Sequence, residues 1–415
     1  MAESGVRALL LCVLAPCVLT RAPRTESEPN HRNVSISLNP GFPVSPPGGD
    51  LLYVRSVGPS DSLHFLFCSQ GAPTLLLVHS NSTDATARVD WPVFLERNSS
   101  GGVRVEPESS VTYSSALVFS TLWEYEDVND TADPGPDLFP PYELQNLTWS
   151  RLNLSTLSAH LCGASSNGSI CLQLSVFEDW GRSELWPRLL HSPDSAQLRF
   201  WLDGLDSRSA RSRFLLELRS VGGAPPDVVR SIRSIDDEFT PSIFTVSQWL
   251  FNASAPGSGP GPGLGPGLGP GLGPGLGPGP GPSPGFVQWK PVAYRNASAR
   301  LEAATPLRHW SPRRQDPVST ATASGLVLGF YGDDAPTTAV NISFGLSGEP
   351  FYNKYLSWTL LVGVGDPPLD SFSVLVWSVL AVGLGTPLLL LLVGGVWVCA
   401  RKLSDPAPST YEPIN

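Results

Sequence analysis

Between residues 50 and 345 the apolar positions recur with a period of two more often than 3.6. Leu51–Val57, Thr74–His79, Ser115–Phe119, Ile170–Phe177, Phe214–Arg219, Phe286–Val292, Leu326–Tyr331 and Ala339–Phe344 read as short strands separated by Gly, Pro, Asn and Ser. No long amphipathic helix competes with them. A further apolar run, Tyr355 to Val364, reads as a last core strand, with a partner-facing surface as the alternative. About 350 residues of this pattern exceed what one sandwich core ordinarily organises. The expected fold is therefore an all-β region of two packed β-sandwich-like subdomains, divided somewhere between residues 195 and 245.

The ends of the chain carry a different pattern. Ala8 to Leu19 is an apolar run too short to span a bilayer and of the right length for a signal-peptide core, so residues 1–22 are expected to be a signal peptide. Phe372 to Ala400 contains no charge and is long enough to cross a hydrocarbon core of about 30 Å. Residues 371–400 are thus expected to form one transmembrane helix, with Pro387 near its middle. Arg401 and Lys402 follow it and Asp366 and Asp370 precede it, which by the positive-inside rule leaves residues 23–370 luminal or extracellular and 401–415 cytosolic. The tail ends Tyr411-Glu412-Pro413-Ile414-Asn415. This is the Tyr-x-x-hydrophobic pattern that clathrin adaptors bind as an extended strand, with Tyr411 and Ile414 filling separate pockets.

Composition changes the picture in three places. The 40 Gly and 42 Pro suggest an unstructured chain, but 14 of those Gly and 10 of those Pro lie between Ala255 and Gly285. That Gly-Pro-Gly-Leu repeat has no three-residue collagen period and reads as a disordered surface insert. A formal net charge of −10 with only three Lys excludes the basic face that a nucleic-acid binder needs. Of 14 Asn, ten stand in Asn-x-Ser/Thr, namely Asn33, Asn81, Asn98, Asn129, Asn146, Asn153, Asn167, Asn252, Asn296 and Asn341, where chance gives roughly two. All ten precede the expected span, which marks a glycosylated, protease-resistant luminal region. Cysteines in that region are Cys68, Cys162 and Cys171; the last two close a short hairpin-like loop and are the expected disulfide.

Catalytic chemistry finds little support. The six His have no His-x3-His or His-Glu-x-x-His spacing, so no metal site is indicated. A Gly-x-Ser-x-Gly elbow is absent, and the glycines of the insert match no phosphate-binding loop. The acidic string Ser234-Ile235-Asp236-Asp237-Glu238 offers paired carboxylates, but a solvated turn capped by Ser234 accounts for it as well.

Taken with the sequons, span and tail, four segments carry a specific likeness: Ser234 to Phe244, Phe286 to Ala293, Tyr355 to Leu361 and the terminal Tyr411 to Asn415. Through them the chain resembles the glycosylated lysosomal membrane protein family over most of its length. The resemblance implies a type I lysosomal glycoprotein without catalytic activity or cofactor. It would act as accessory subunit of a major-facilitator-type transporter that exports small peptides, shielding that partner from luminal proteolysis. Two other classes compete: a membrane-tethered lysosomal hydrolase, whose paired acids a single sequence can hide, and a cell-surface adhesion or receptor ectodomain.

Overall fold

The computed structural model describes residues 31–42, 44–135, 138–165, 168–222, 228–234, 244–251, 285–369 and 374–404. The expected signal peptide, Asn167, Asn252, nearly all of the 255–285 insert, most of the 234–238 acidic string, and Tyr411 and Ile414 lie outside the described residues. The chain forms two compact units, residues up to Pro368 and from Leu369 onward.

Two large antiparallel sheets build the first unit. In one, the strands run Asn33–Leu38, Leu51–Val57, Ser62–Cys68, Thr74–Ser80, Val111–Glu126, Ser212–Val221 and Thr337–Phe344, and Ala304–His309 and Arg313–Gln315 share the far edge. In the other, the order is Asn153–Leu154, Ser158–Ser165, Gly168–Val176, Ser195–Asp203, Tyr355–Val364, Gly285–Trp289, Thr245–Phe251 and Val229–Arg233. Ala304–His309 turns the corner between them, pairing first with Val292–Tyr294 and then with Thr337–Phe344.

The all-β expectation holds, but in place of two packed subdomains there is one compact unit made of these two sheets. They are not successive stretches of chain: the backbone crosses repeatedly from one to the other, and one apolar core fills the space between them. Phe119 and Phe344 of the first sheet bracket Phe200 of the second at ring separations of 6.3 and 6.4 Å. No boundary between 195 and 245 divides the chain, because strands on both sides of that interval share this core. Tyr355–Val364 is a central strand, hydrogen-bonded on both edges and almost wholly buried.

A second apolar cluster covers the outer face of the first sheet. Leu51, Leu66, Cys68, Leu76, Val78, Ala116 and Val118 point out to meet three short helices, Trp91–Glu96, Pro317–Ala323 and Gly325–Tyr331. Each helix starts at a side chain that accepts a backbone N–H, Asp90 from Val93, Asp316 from Ser319 and Ser324 from Val327. The last helix corrects the strand expected at Leu326–Tyr331. The Ser324 cap and the left-handed Gly332 (φ 85°) bound a single helical segment whose Leu326 and Val327 seal the sheet face. At Gly71 (φ 83°) the turn between two strands presses so close to the helix junction that a Cβ would sit 2.2 Å from the Ala323 carbonyl.

The second unit's helix runs Val374–Ser404, and within it Ser378–Arg401 is apolar and long enough to cross a membrane, with Pro387 inside it.

Candidate functional site

The sequons separate by exposure. Asn33, Asn81, Asn98, Asn129, Asn146, Asn153 and Asn296 are exposed, whereas Asn341, in the middle of Thr337–Phe344, is half-buried. The expected cysteine pair faces across the hairpin of Ser158–Ser165 and Gly168–Val176, with Cα atoms 4.1 Å apart and the sulfurs bonded. Cys68 is a buried free thiol whose pKa burial pushes up to about 12, so it is inert to oxidation.

Carboxylates gather in two places, and in both an arginine holds them. Arg213, almost wholly buried, donates from Nε to Asp127 at 2.7 Å and from Nη2 to Asp130 at 2.6 Å. Burial alone would raise the Asp127 carboxyl, but hydrogen bonds from Arg213 and from the Ala132 and Thr131 amides hold it below the usual range. Next to this pair the buried Glu124 accepts from Ser212 Oγ and the Arg208 amide, each at 2.6 Å. At the opposite network Arg32 donates to Asp194 at 2.6 Å and to Asp61 at 2.7 Å, joining the 57–62 turn of the first sheet to the start of Ser195–Asp203 in the second. Burial works to raise the Asp61 pKa, but His79 and Arg32 outweigh it and hold the group at about 2. Such pairs lock loops and sheets together; a general acid needs a carboxyl free to take a proton near the working pH.

A surface groove of about 320 Å³ opens on the first sheet, lined by Trp123, Pro134, Leu138, Leu215, Glu217, Trp310, Ser311, Arg313, Gln315, Ala339 and Asn341. Glu217 is the one carboxylate lining it among the described residues, and it accepts from Arg219 Nε and Ser120 Oγ at 2.8 Å each. Among the described residues no second acid faces it, so these residues do not supply the carboxylate pair of a glycosidase. Among the described residues no group of three His, Cys, Asp or Glu stands close enough to hold a metal ion. What the groove presents is aromatic faces beside planar polar groups. Trp123, Glu217, Trp310 and Arg313 carry no local motif, since the fold brings them together from three separate segments.

Along Ser378–Arg401 the side chains are exposed, with only Gly385 half-buried. A Cβ built at Gly383, Gly385, Gly394 or Gly395 would meet nothing within 4 Å.

Comparison with known proteins resolves the lineage. A family model described as "Glycosylated lysosomal membrane protein" matches residues 50–405. The glycosylated lysosomal membrane protein of Danio rerio is 48% identical over 404 residues, covering 92% of each chain. Glycosylated lysosomal membrane protein B of Xenopus laevis is 35% identical and covers 99% of both, and the Homo sapiens protein is 34% identical over 92% of this chain and 91% of its own. Matched across most of its length by the model and by these relatives, the chain belongs to the family of glycosylated lysosomal membrane proteins.

Proposed function

We propose that this lysosomal membrane glycoprotein, a large luminal β region with one membrane-crossing helix, is a non-catalytic accessory subunit. In this reading it stabilises a major-facilitator-type transporter of small peptides and shields that partner's luminal loops from proteases. The observation that carries the reading is the helix Ser378–Arg401, apolar and long enough to cross a membrane, with Gly383, Gly385, Gly394 and Gly395 along it. Small residues let a neighbouring helix approach closely, and in lipid that close packing is a main source of helix association. Seven exposed sequons on a closely packed β unit suit the shielding part of the role, since glycans at those positions would cover the strand ends and turns where nicking begins.

The test is the partner's lifetime. In cells lacking this chain the transporter's protein half-life should fall while its message is unchanged, and the full chain should restore it. A chain whose Gly394 and Gly395 are replaced by Leu should restore it poorly. An unchanged half-life refutes the proposal. Clathrin adaptors reading Tyr411 and Ile414 are the proposed route to the lysosome, so Tyr411→Ala should move the protein to the cell surface.

A further inference from the structure

Asn341 differs from every other described sequon asparagine. Those lie exposed, whereas Asn341 faces Glu217 across the paired strands Ser212–Val221 and Thr337–Phe344 and is half-buried in the wall of the groove. Its carbonyl accepts the Trp310 amide at 3.1 Å, which fixes the Trp310 backbone beside it. Its side-chain Oδ1 is buried and accepts no hydrogen bond from the described residues. An acceptor left in that state costs about 1–3 kcal/mol, so a rearrangement of this side chain that brings Oδ1 a donor is favoured.

The lining says what kind of group fits the groove. Trp123 and Trp310 contribute indole surface, with the Arg308 guanidinium over one face of Trp310 at 4.9 Å, and Glu217, Arg313 and Gln315 contribute planar acceptors and donors. A pyranose ring matches both, with its C–H faces against indole and its hydroxyl and acetamide groups toward the polar side chains. The volume of about 320 Å³ stands at the low end of ligand pockets, which run roughly 300–1,000 Å³, so it suits the first sugars of a chain rather than a whole glycan. The groove also contains its own attachment point, the Nδ2 of Asn341.

We propose that the N-glycan on Asn341 is a structural element, with its first N-acetylglucosamine units seated in the groove against Trp310 and Trp123. In the attachment, one Nδ2 hydrogen is replaced by C1 of the first sugar. The oligosaccharide comes from a lipid diphosphate donor, and the lipid diphosphate and the proton depart. The third sequon residue, Ser343, is wholly buried with its Oγ 3.0 Å from the Tyr125 hydroxyl. Transfer therefore precedes closure of the sheet, and folding then brings the sugars onto the indoles. The inference rests on reading Asn341-Ile342-Ser343 as a used sequon and is independent of the transporter role.

The full chain, purified from glycosylating cells, is treated with peptide N-glycosidase in the native and the denatured state, and release is followed site by site by glycopeptide mass spectrometry. Asn341 should be occupied. In the native state it should be released at least about tenfold more slowly than Asn81 or Asn296, with the three rates converging on denaturation, as expected for a group exposed only by local opening. Trp310→Ala should bring the native rate at Asn341 close to that at Asn296. Gln315→Ala, on the outer edge strand, should do so in part and carries the test if the Trp310 variant does not fold. An unoccupied Asn341 overturns the proposal and leaves the groove to a free sugar or a peptide. Native release as fast as at Asn296, or no acceleration in either variant, overturns the seating.

Discussion

Replacing His64 with Gln should remove part of the loss of stability that this protein suffers on acidification. His64 lies wholly buried in Ser62–Cys68, with both ring nitrogens engaged. The Ala87 amide donates to the Tyr53 hydroxyl at 3.0 Å, so that hydroxyl is free to donate to His64 Nδ1 at 2.8 Å. On the other side Ser62 Oγ donates to the Ser82 carbonyl at 2.6 Å and accepts from His64 Nε2–H at 3.0 Å. The chain of donors and acceptors is complete for a neutral ring. Burial first, and the charges of Arg55 and His79 second, lower its pKa to about 4.

In the unfolded chain the ring titrates near 6.5, so as the pH falls the unfolded state takes up the proton first. The stability contributed by the neutral ring is complete above pH ~6.5 and is lost as the pH falls toward ~4. At pH 5 nearly all unfolded chains and only about a tenth of folded ones carry the proton, which by linkage removes about 2 kcal/mol. Urea unfolding of the full glycoprotein in detergent, followed by tryptophan fluorescence at pH 7.5, 6 and 5, measures this directly. His64→Gln should be less stable than the wild type at pH 7.5 by about 1–3 kcal/mol through its poorer hydrogen bonds, and that deficit should shrink by about 2 kcal/mol at pH 5. His191, buried against Phe177 with a pKa lowered to about 4, acts in the same direction, so the variant's profile is shallower rather than flat. A deficit that does not change with pH refutes the assignment of a neutral buried ring.

Four further perturbations test the frame. Asp127→Ala leaves the buried Arg213 guanidinium with Asp130 as its one carboxylate and should cost about 3 kcal/mol in denaturant unfolding, whereas Glu106→Ala, at the exposed pair with Arg88 and Arg104, should leave stability unchanged in the same assay. Replacing Cys162 and Cys171 together with Ser opens a loop of sequence separation 9 and should lower stability by about 2.5 kcal/mol by the same assay. Phe251 pairs with Gly285, so the Gly-Pro-Leu insert begins and ends at one hairpin; cutting residues 252–284 about eightfold should raise stability by about 2 kcal/mol through loop closure, leaving the strands in register.

The runs at Leu51–Val57, Thr74–Ser80, Ser212–Val221 and Thr337–Phe344 were legible because short apolar segments bounded by turn residues have few other ways to bury themselves. Ser62–Cys68 was not, because Ser62 and His64 interrupt its apolar run, and only the folded contacts with Tyr53 and Ser82 make them interior residues. The same apolar character at Leu326–Tyr331 belongs to a helix, where one serine cap and one glycine stop decided the outcome. Of the groove, only Asn341 was visible, as a sequon like nine others. Nothing within a few residues of Trp123, Glu217 or Trp310 marks them as neighbours.

By itself the sequence determined the properties that depend on local composition. A charge-free run long enough to cross a bilayer, an excess of Asn-x-Ser/Thr, two cysteines one hairpin apart and a β-rich pattern are each written within a short window. Tertiary structure decided what depends on bringing distant segments together. The two sheets share one core because the chain crosses between them repeatedly, and Arg32 meets Asp194 across 162 residues and Arg213 meets Asp130 across 83. The same pairing turned one of ten similar sequons into the wall of a groove. Local windows carry propensity and periodicity, whereas strand order and long-range ion pairs come from the one packing that buries both faces of the first sheet and leaves the arginines matched.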